Sequence, residues 1–76
     1  MERDEVIKIA RQYADGRVWS HQFWQMVPQM EVMDFGDTYQ REKLMRWLGF
    51  MQGVLFADGT YTIDELRQHN KQGYVS

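Results

Sequence analysis

Seventy-six residues with nine Lys and Arg, eleven Asp and Glu and no cysteine make one small domain. Disulfides, thiolate metal ligands and a cysteine nucleophile are excluded together. The net charge of −2 argues against bulk attraction to nucleic acid or an anionic membrane, and no run approaches the ~20 apolar residues of a membrane span. The N-terminal run Met1-Glu2-Arg3-Asp4-Glu5 is charged with no apolar stretch behind it, so the expectation is a cytoplasmic protein without a signal peptide. A chain this short buries only ~60% of its unfolded surface. Three Trp, four Tyr, four Phe and six Met supply compensating apolar bulk, at ~150–250 Å² buried per aromatic ring. Either the core is simply rich in aromatics, or some of these side chains form a surface patch that meets a partner.

Residues 3–14 read as the first helix. Val6, Ile9, Ala10 and Tyr13 follow i, i+3, i+4, i+7 spacing, with Ile7 on the flank. Glu2, Asp4 and Glu5 at the start and Arg11 near the end complement the helix dipole, and Asp15-Gly16 supplies the stop.

Residues 18–35 admit two readings. Ser20 can N-cap a helix carrying Phe23, Trp24 and Val27, which Pro28 then ends, or Pro28 begins a further helix as its first residue. Alternatively Arg17–Trp24 is extended, since Val, Trp and Phe favour strands. The helical reading is preferred, with Val32, Met33 and Phe35 leading to a stop at Gly36.

Asp37 and Thr38 are both suitable N-caps, and Gln40 stands three residues after Asp37 as in a capping box. The following helix, about Tyr39 to Phe56, places Leu44, Leu48, Met51 and Leu55 in one stripe at ~100° per residue. Trp47, Phe50 and Val54 form a second apolar face, and Met45 and Phe56 extend the opposite flank. An apolar arc this wide exceeds the stripe of somewhat over ~100° that a surface helix needs. The helix is therefore either packed on two sides within the domain or half-covered by another chain. Gly49 and Gly53, each costing ~1 kcal/mol relative to alanine, lie near Glu42 and Arg46 and are read as a site of close packing within the fold. Ala57-Asp58-Gly59 is a turn. Thr62 and Glu65 then form a capping box for a last helix with Ile63 and Leu66 on its apolar side and Arg67, His69 and Lys71 towards its end. Lys71–Ser76 reads as a loose tail, unless Tyr74 and Val75 dock.

No chemistry-bearing constellation assembles along this chain. Asp58-Gly59 and Glu65 fit positions 5, 6 and 12 of a calcium loop in the EF-hand sense. However, positions 1 and 3 would be Val54 and Phe56, which offer no side-chain oxygen. His21 and His69 are too far apart for a local metal pair. Ser20-His21 is adjacency rather than a nucleophile with its base, and Asp34 with Asp37 has the spacing of loop and cap residues. Arg41, Lys43 and Arg46 beside Trp47 suggest single-stranded nucleic acid binding, but they spread over a wide arc interleaved with Glu42, as on a solvated mixed-charge face. The expectation is a non-enzyme without metal or cofactor.

The run Arg46-Trp47-Leu48-Gly49-Phe50-Met51-Gln52-Gly53-Val54-Leu55, followed by Tyr61-Thr62-Ile63-Asp64-Glu65-Leu66-Arg67-Gln68-His69, resembles the C-terminal half of small uncharacterised accessory proteins of tailed bacteriophages. The resemblance implies a protein made in the cytoplasm of an infected bacterium, of a kind that binds and inhibits or redirects a host protein such as a defence nuclease. It carries no site residues with it.

The sequence thus predicts an all-α domain of three or four helices spanning 1–76, with a C-terminal helix–turn–helix hairpin. Its expected function is protein binding, with Trp19, Phe23, Trp24 and Met26 as contact residues because they crowd one short polar-flanked segment. The alternatives are a homodimeric structural protein and a single-stranded nucleic-acid binder.

Overall fold

The computed structural model describes residues 2–15 and 20–72, the side chains of Ser20 and Gln72 excepted. These residues form four α-helices and no strand: α1 (Arg3–Ala14), α2 (Ser20–Glu31), α3 (Thr38–Ala57) and α4 (Ile63–Gln72). The domain is all-α, as its periodicities require. Gly16 to Trp19 and residues 73–76 lie outside the described residues, and with them the expectations placed on Gly16, Trp19, Tyr74 and Val75.

α1 packs on α2 and α3, and α2 on α3. Each helix turns its apolar stripe inward: Val6, Ile9, Ala10 and Tyr13 from α1, Phe23, Val27 and Met30 from α2, Leu44, Leu48, Met51 and Leu55 from α3. Arg11 binds Glu31 of α2 at 2.7 Å, and the Arg3 guanidinium donates to the Glu31 carbonyl. The salt bridge between exposed groups is worth no more than about 1 kcal/mol, so apolar burial holds the α1–α2 pair together.

Residues 20–24 are helical, which overturns the extended alternative there. Pro28 neither ends nor begins a helix; it sits inside α2. It has no N–H for the Trp24 carbonyl four residues back, and its ring crowds that carbonyl, a combined cost of ~3 kcal/mol. Phe23, Val27 and Met30 are completely buried on the opposite side, and their burial, at ~1.5–3 kcal/mol each, outweighs it. Pro28 itself is exposed. Pro28→Ala is therefore expected to raise stability by about 1–3 kcal/mol, read as a higher denaturation midpoint in urea with unchanged m-value.

The turn into α3 differs from its sequence reading. Asp37 is the N-cap, but its side chain caps nothing. Gln40 does not complete a box with it; its Oε1 accepts the Asp34 N–H at 2.9 Å. The Asp34 carboxylate in turn accepts the Gly36 N–H at 2.9 Å. Asp34, free to fold onto its own backbone two residues on, organises this turn in place of Asp37.

α3 ends in a Schellman arrangement. Thr60 N–H donates to the Leu55 carbonyl at 2.9 Å and Gly59 N–H to that of Phe56 at 3.1 Å. Gly59 takes φ +83°, a left-handed conformation that costs a side chain-bearing residue ~1–2 kcal/mol. Asp58 Oδ1 accepts from Thr60 N–H at 2.9 Å and its hydroxyl at 2.5 Å. The expected Thr62–Glu65 capping box is present in both directions: Thr62 N–H to Glu65 Oε1 at 3.0 Å, and Glu65 N–H to Thr62 Oγ1 at 3.2 Å. These bonds occupy the two carboxylates that resembled calcium ligands. α4 runs on through Lys71 and Gln72, where the sequence predicts the start of a loose tail.

Candidate interaction surface

The three expected contact residues that are described, Phe23, Trp24 and Met26, do not form one surface. Phe23 is completely buried in the core; it holds α2 in place and presents nothing to a partner. Trp24, the next residue, is 46% exposed. Met26 is half-buried against the core. Two residues apart on a helix project about 160° from each other, so Trp24 and Met26 occupy opposite flanks of α2. Trp19 lies outside the described residues. Sequence proximity suggested a cluster that helical geometry disperses.

The larger open apolar surface is on α3. Tyr39, Met45, Phe50 and Phe56 are 67%, 38%, 49% and 48% exposed. At about 100° per residue they fall within an arc of about 140°, opposite Leu44, Leu48, Met51 and Leu55. Trp47 and Val54 pack partly against the core along the border. Of the two arrangements that the wide apolar arc allows, packing on both sides is not observed among the described residues: one face is buried and the other is open.

Gly49 and Gly53 lie in the middle of the open face. A Cβ built on either one meets no atom within 4 Å. The expectation that they allow close packing inside the fold is therefore not met among the described residues, none of which fills the space that they leave. Beside them, Phe35, Arg41, Glu42, Met45 and Arg46 line a groove of about 500 Å³. The Arg41 guanidinium lies 5.7 Å from the Phe35 ring centre, and the Lys43 ammonium 5.5 Å from that of Trp47.

A second cluster joins α4 to the rest. Tyr13 Oη and His69 Nδ1 are 2.7 Å apart. Gln52 of α3 donates to Tyr13 Oη at 3.3 Å. Gln52 and Asn70 exchange amide hydrogen bonds at 2.6 and 3.3 Å. The Tyr61 ring meets His69 edge-on at 4.7 Å between centres. Leu66 adds the apolar anchor. The signal for this cluster was local: Leu66, His69 and Asn70 stand at i, i+3, i+4 on α4. Its partners Tyr13 and Gln52 are far away in sequence, and no spacing rule reaches them.

Burial lowers the His69 pKa below its ordinary 6.5, with Glu65 opposing the shift. The folded state thus favours the neutral ring. Between 6.5 and the lowered folded value, the unfolded chain binds more protons, so stability is full above pH 6.5 and falls on acidification through that window. The expected result is a urea midpoint that declines from pH 7.5 to pH 5.5, with a shallower decline in His69→Gln. Equal slopes in the two proteins would remove His69 as the cause.

His21 is exposed and accepts from the Gln25 amide at 3.2 Å, while His69 is in the tyrosine cluster. No group of three or more His, Asp and Glu among the described residues is placed to hold a metal ion, and no described helix is long and apolar enough to cross a membrane. No protein-family model, no curated protein and no solved structure matches this chain.

Proposed function

We propose that this protein is a non-enzymatic protein-binding module that presents the outer face of α3 to a partner. The carrying observation is that α3 leaves Tyr39, Met45, Phe50 and Phe56 exposed on the face opposite its buried stripe, around Glu42, Arg46 and the two glycines. Half-exposed aromatic and Met side chains leave roughly 100 Å² each, so Tyr39, Met45, Phe50 and Phe56 together present roughly 400 Å², the scale at which apolar patches on small proteins are often functional. Burial of one such ring is worth ~2–3 kcal/mol, enough for two or three residues to dominate an interface.

The more specific reading is an accessory protein of phage origin that works in the cytoplasm of the infected bacterium. There it binds and inhibits or redirects a host protein such as a defence nuclease. It rests on the sequence resemblance alone. A homodimer that closes the same α3 face is the second reading, favoured by the open glycine pair. Sedimentation equilibrium separates them, because a monomer at all concentrations removes the homodimer. The test of the main reading is affinity capture from bacterial lysate with the wild type and with Phe50→Ser/Phe56→Ser, both checked for native helicity by circular dichroism. The reading expects a captured protein that the double variant loses; identical capture by both proteins contradicts it.

A further inference from the structure

The charge of this chain is unevenly distributed. α3 carries Arg41, Lys43 and Arg46 against Glu42 alone, a net of +2. The whole chain has nine cations and eleven carboxylates, so the remainder has six and ten, a net of −4. The cations also differ in their surroundings. The described arginines outside α3, Arg3, Arg11 and Arg67, pair with Asp4, Glu31 and Asp64 at 3.3, 2.7 and 3.7 Å, while Lys8 and Lys71 have no such pair among the described residues. Among the described residues, no carboxylate is paired with Arg41, Lys43 or Arg46. Arg41 and Lys43 lie over aromatic rings instead, and Arg41 also donates to the Phe35 carbonyl at 3.4 Å.

Two of these cations, Arg41 and Arg46, border the 500 Å³ groove whose apolar lining is Phe35 and Met45. Positions 41 and 45, and 42 and 46, are one helical turn apart, so both arginines flank the same stretch of groove. An apolar slot between two unpaired guanidinium groups has a specific chemical complement. Arginine forks bind carboxylates in bidentate geometry, and a bulky apolar side chain fills the space between. Met45 belongs both to the groove and to the open α3 face, so the groove continues that surface.

We propose that the groove between Phe35 and Met45 binds an acidic segment of the partner protein, with one of its apolar side chains in the slot and its carboxylates on Arg41 and Arg46. This rests on the protein-binding reading and adds the chemistry of the partner. Glu42 sets the register by repelling a carboxylate at its own position. A short acidic segment fits better than a nucleic acid strand, because a polyanion meets the field of a chain whose net charge is −2. A short segment meets only the groove itself, where Arg41 and Arg46 outnumber Glu42.

The test is selection from a displayed random peptide library on the wild type, followed by affinity measurement against Arg41→Glu/Arg46→Glu and, separately, Met45→Asp. All three positions are exposed, and circular dichroism verifies that each variant keeps its helices. The expected result is enrichment of peptides with two or more Asp or Glu around a bulky apolar residue. Their affinity falls about tenfold or more on charge reversal and falls with added salt, and Met45→Asp weakens them as well. Enrichment of neutral or basic sequences, binding indifferent to charge reversal, or no enrichment on the wild type overturns the proposal. Binding of an oligo-dT strand with the same arginine dependence, and no peptide enrichment, assigns the groove to nucleic acid and overturns it too. A lysate partner lost with Phe50→Ser/Phe56→Ser but retained by Arg41→Glu/Arg46→Glu leaves the protein-binding reading standing and removes only the acidic groove.

Discussion

Phe23→Ala is expected to cost the domain about 3–5 kcal/mol, against a total stability of roughly 4–11 kcal/mol for a chain of this length. The ring is completely buried where α2 meets the core of Val6, Ile9, Leu44 and Leu48. Its removal leaves a cavity that the neighbouring side chains can close only in part. Trp24→Ala, one residue on, is expected to cost about 1 kcal/mol or less, because nearly half of that indole already faces water. The contrast is sharp because the two residues are adjacent and both aromatic; only their position around α2 differs. Urea denaturation of the two variants side by side measures it. Equal losses would mean that α2 is rotated from the orientation described above.

The second large effect has the opposite sign. Gly49→Ala and Gly53→Ala each introduce a methyl group that meets nothing within 4 Å, and each removes a helix penalty of about 1 kcal/mol. Together they are expected to stabilise the isolated domain by about 2 kcal/mol, which for a domain of this size raises Tm by roughly 8–16 °C. A native chain that forgoes this stabilisation at two positions one turn apart retains a feature that none of its described residues uses. The protein-binding reading supplies the use: a partner's backbone approaches where no Cβ stands. The same double substitution is therefore expected to weaken partner capture while strengthening the fold. A loss of stability would instead place an unrecognised neighbour against these glycines.

Much of this fold was legible because local signals and tertiary packing agree. Val6, Ile9, Ala10 and Tyr13 give α1 its limits, and they are the residues that it buries. Thr62 and Glu65 spell a capping box, and both of its hydrogen bonds form. Disagreement arose where a long-range effect outweighed a local one. Pro28 breaks a helix on propensity, but Phe23, Val27 and Met30 are anchored strongly enough to carry α2 past it. Gln40 had a suitable cap partner three residues back in Asp37, yet the turn made by Asp34 offers it a better N–H. Gly49 and Gly53 were visible as an anomaly, but only three-dimensional placement tells an open glycine from a packed one.

The candidate surface was legible in part. The wide apolar arc of α3 follows from its sequence and already implied a second neighbour. Which face is left open depends on where α1 and α2 pack, and that is not written in α3. The aromatic segment around Trp24 was prominent in one dimension, and the helix disperses it. The groove between Phe35 and Met45 joins the 34–37 turn to α3, and its arginines acquire meaning only because no carboxylate among the described residues pairs with them.

The central claim is that the outer face of α3 is an interface rather than a tolerated apolar surface. Amide hydrogen–deuterium exchange on the protein bound to its captured lysate partner, compared with the free protein, tests it most directly. Added protection is expected to concentrate in α3 between Tyr39 and Phe56, with α1 unchanged. Protection confined to α1 or α2, with α3 exchanging as in the free domain, would contradict it.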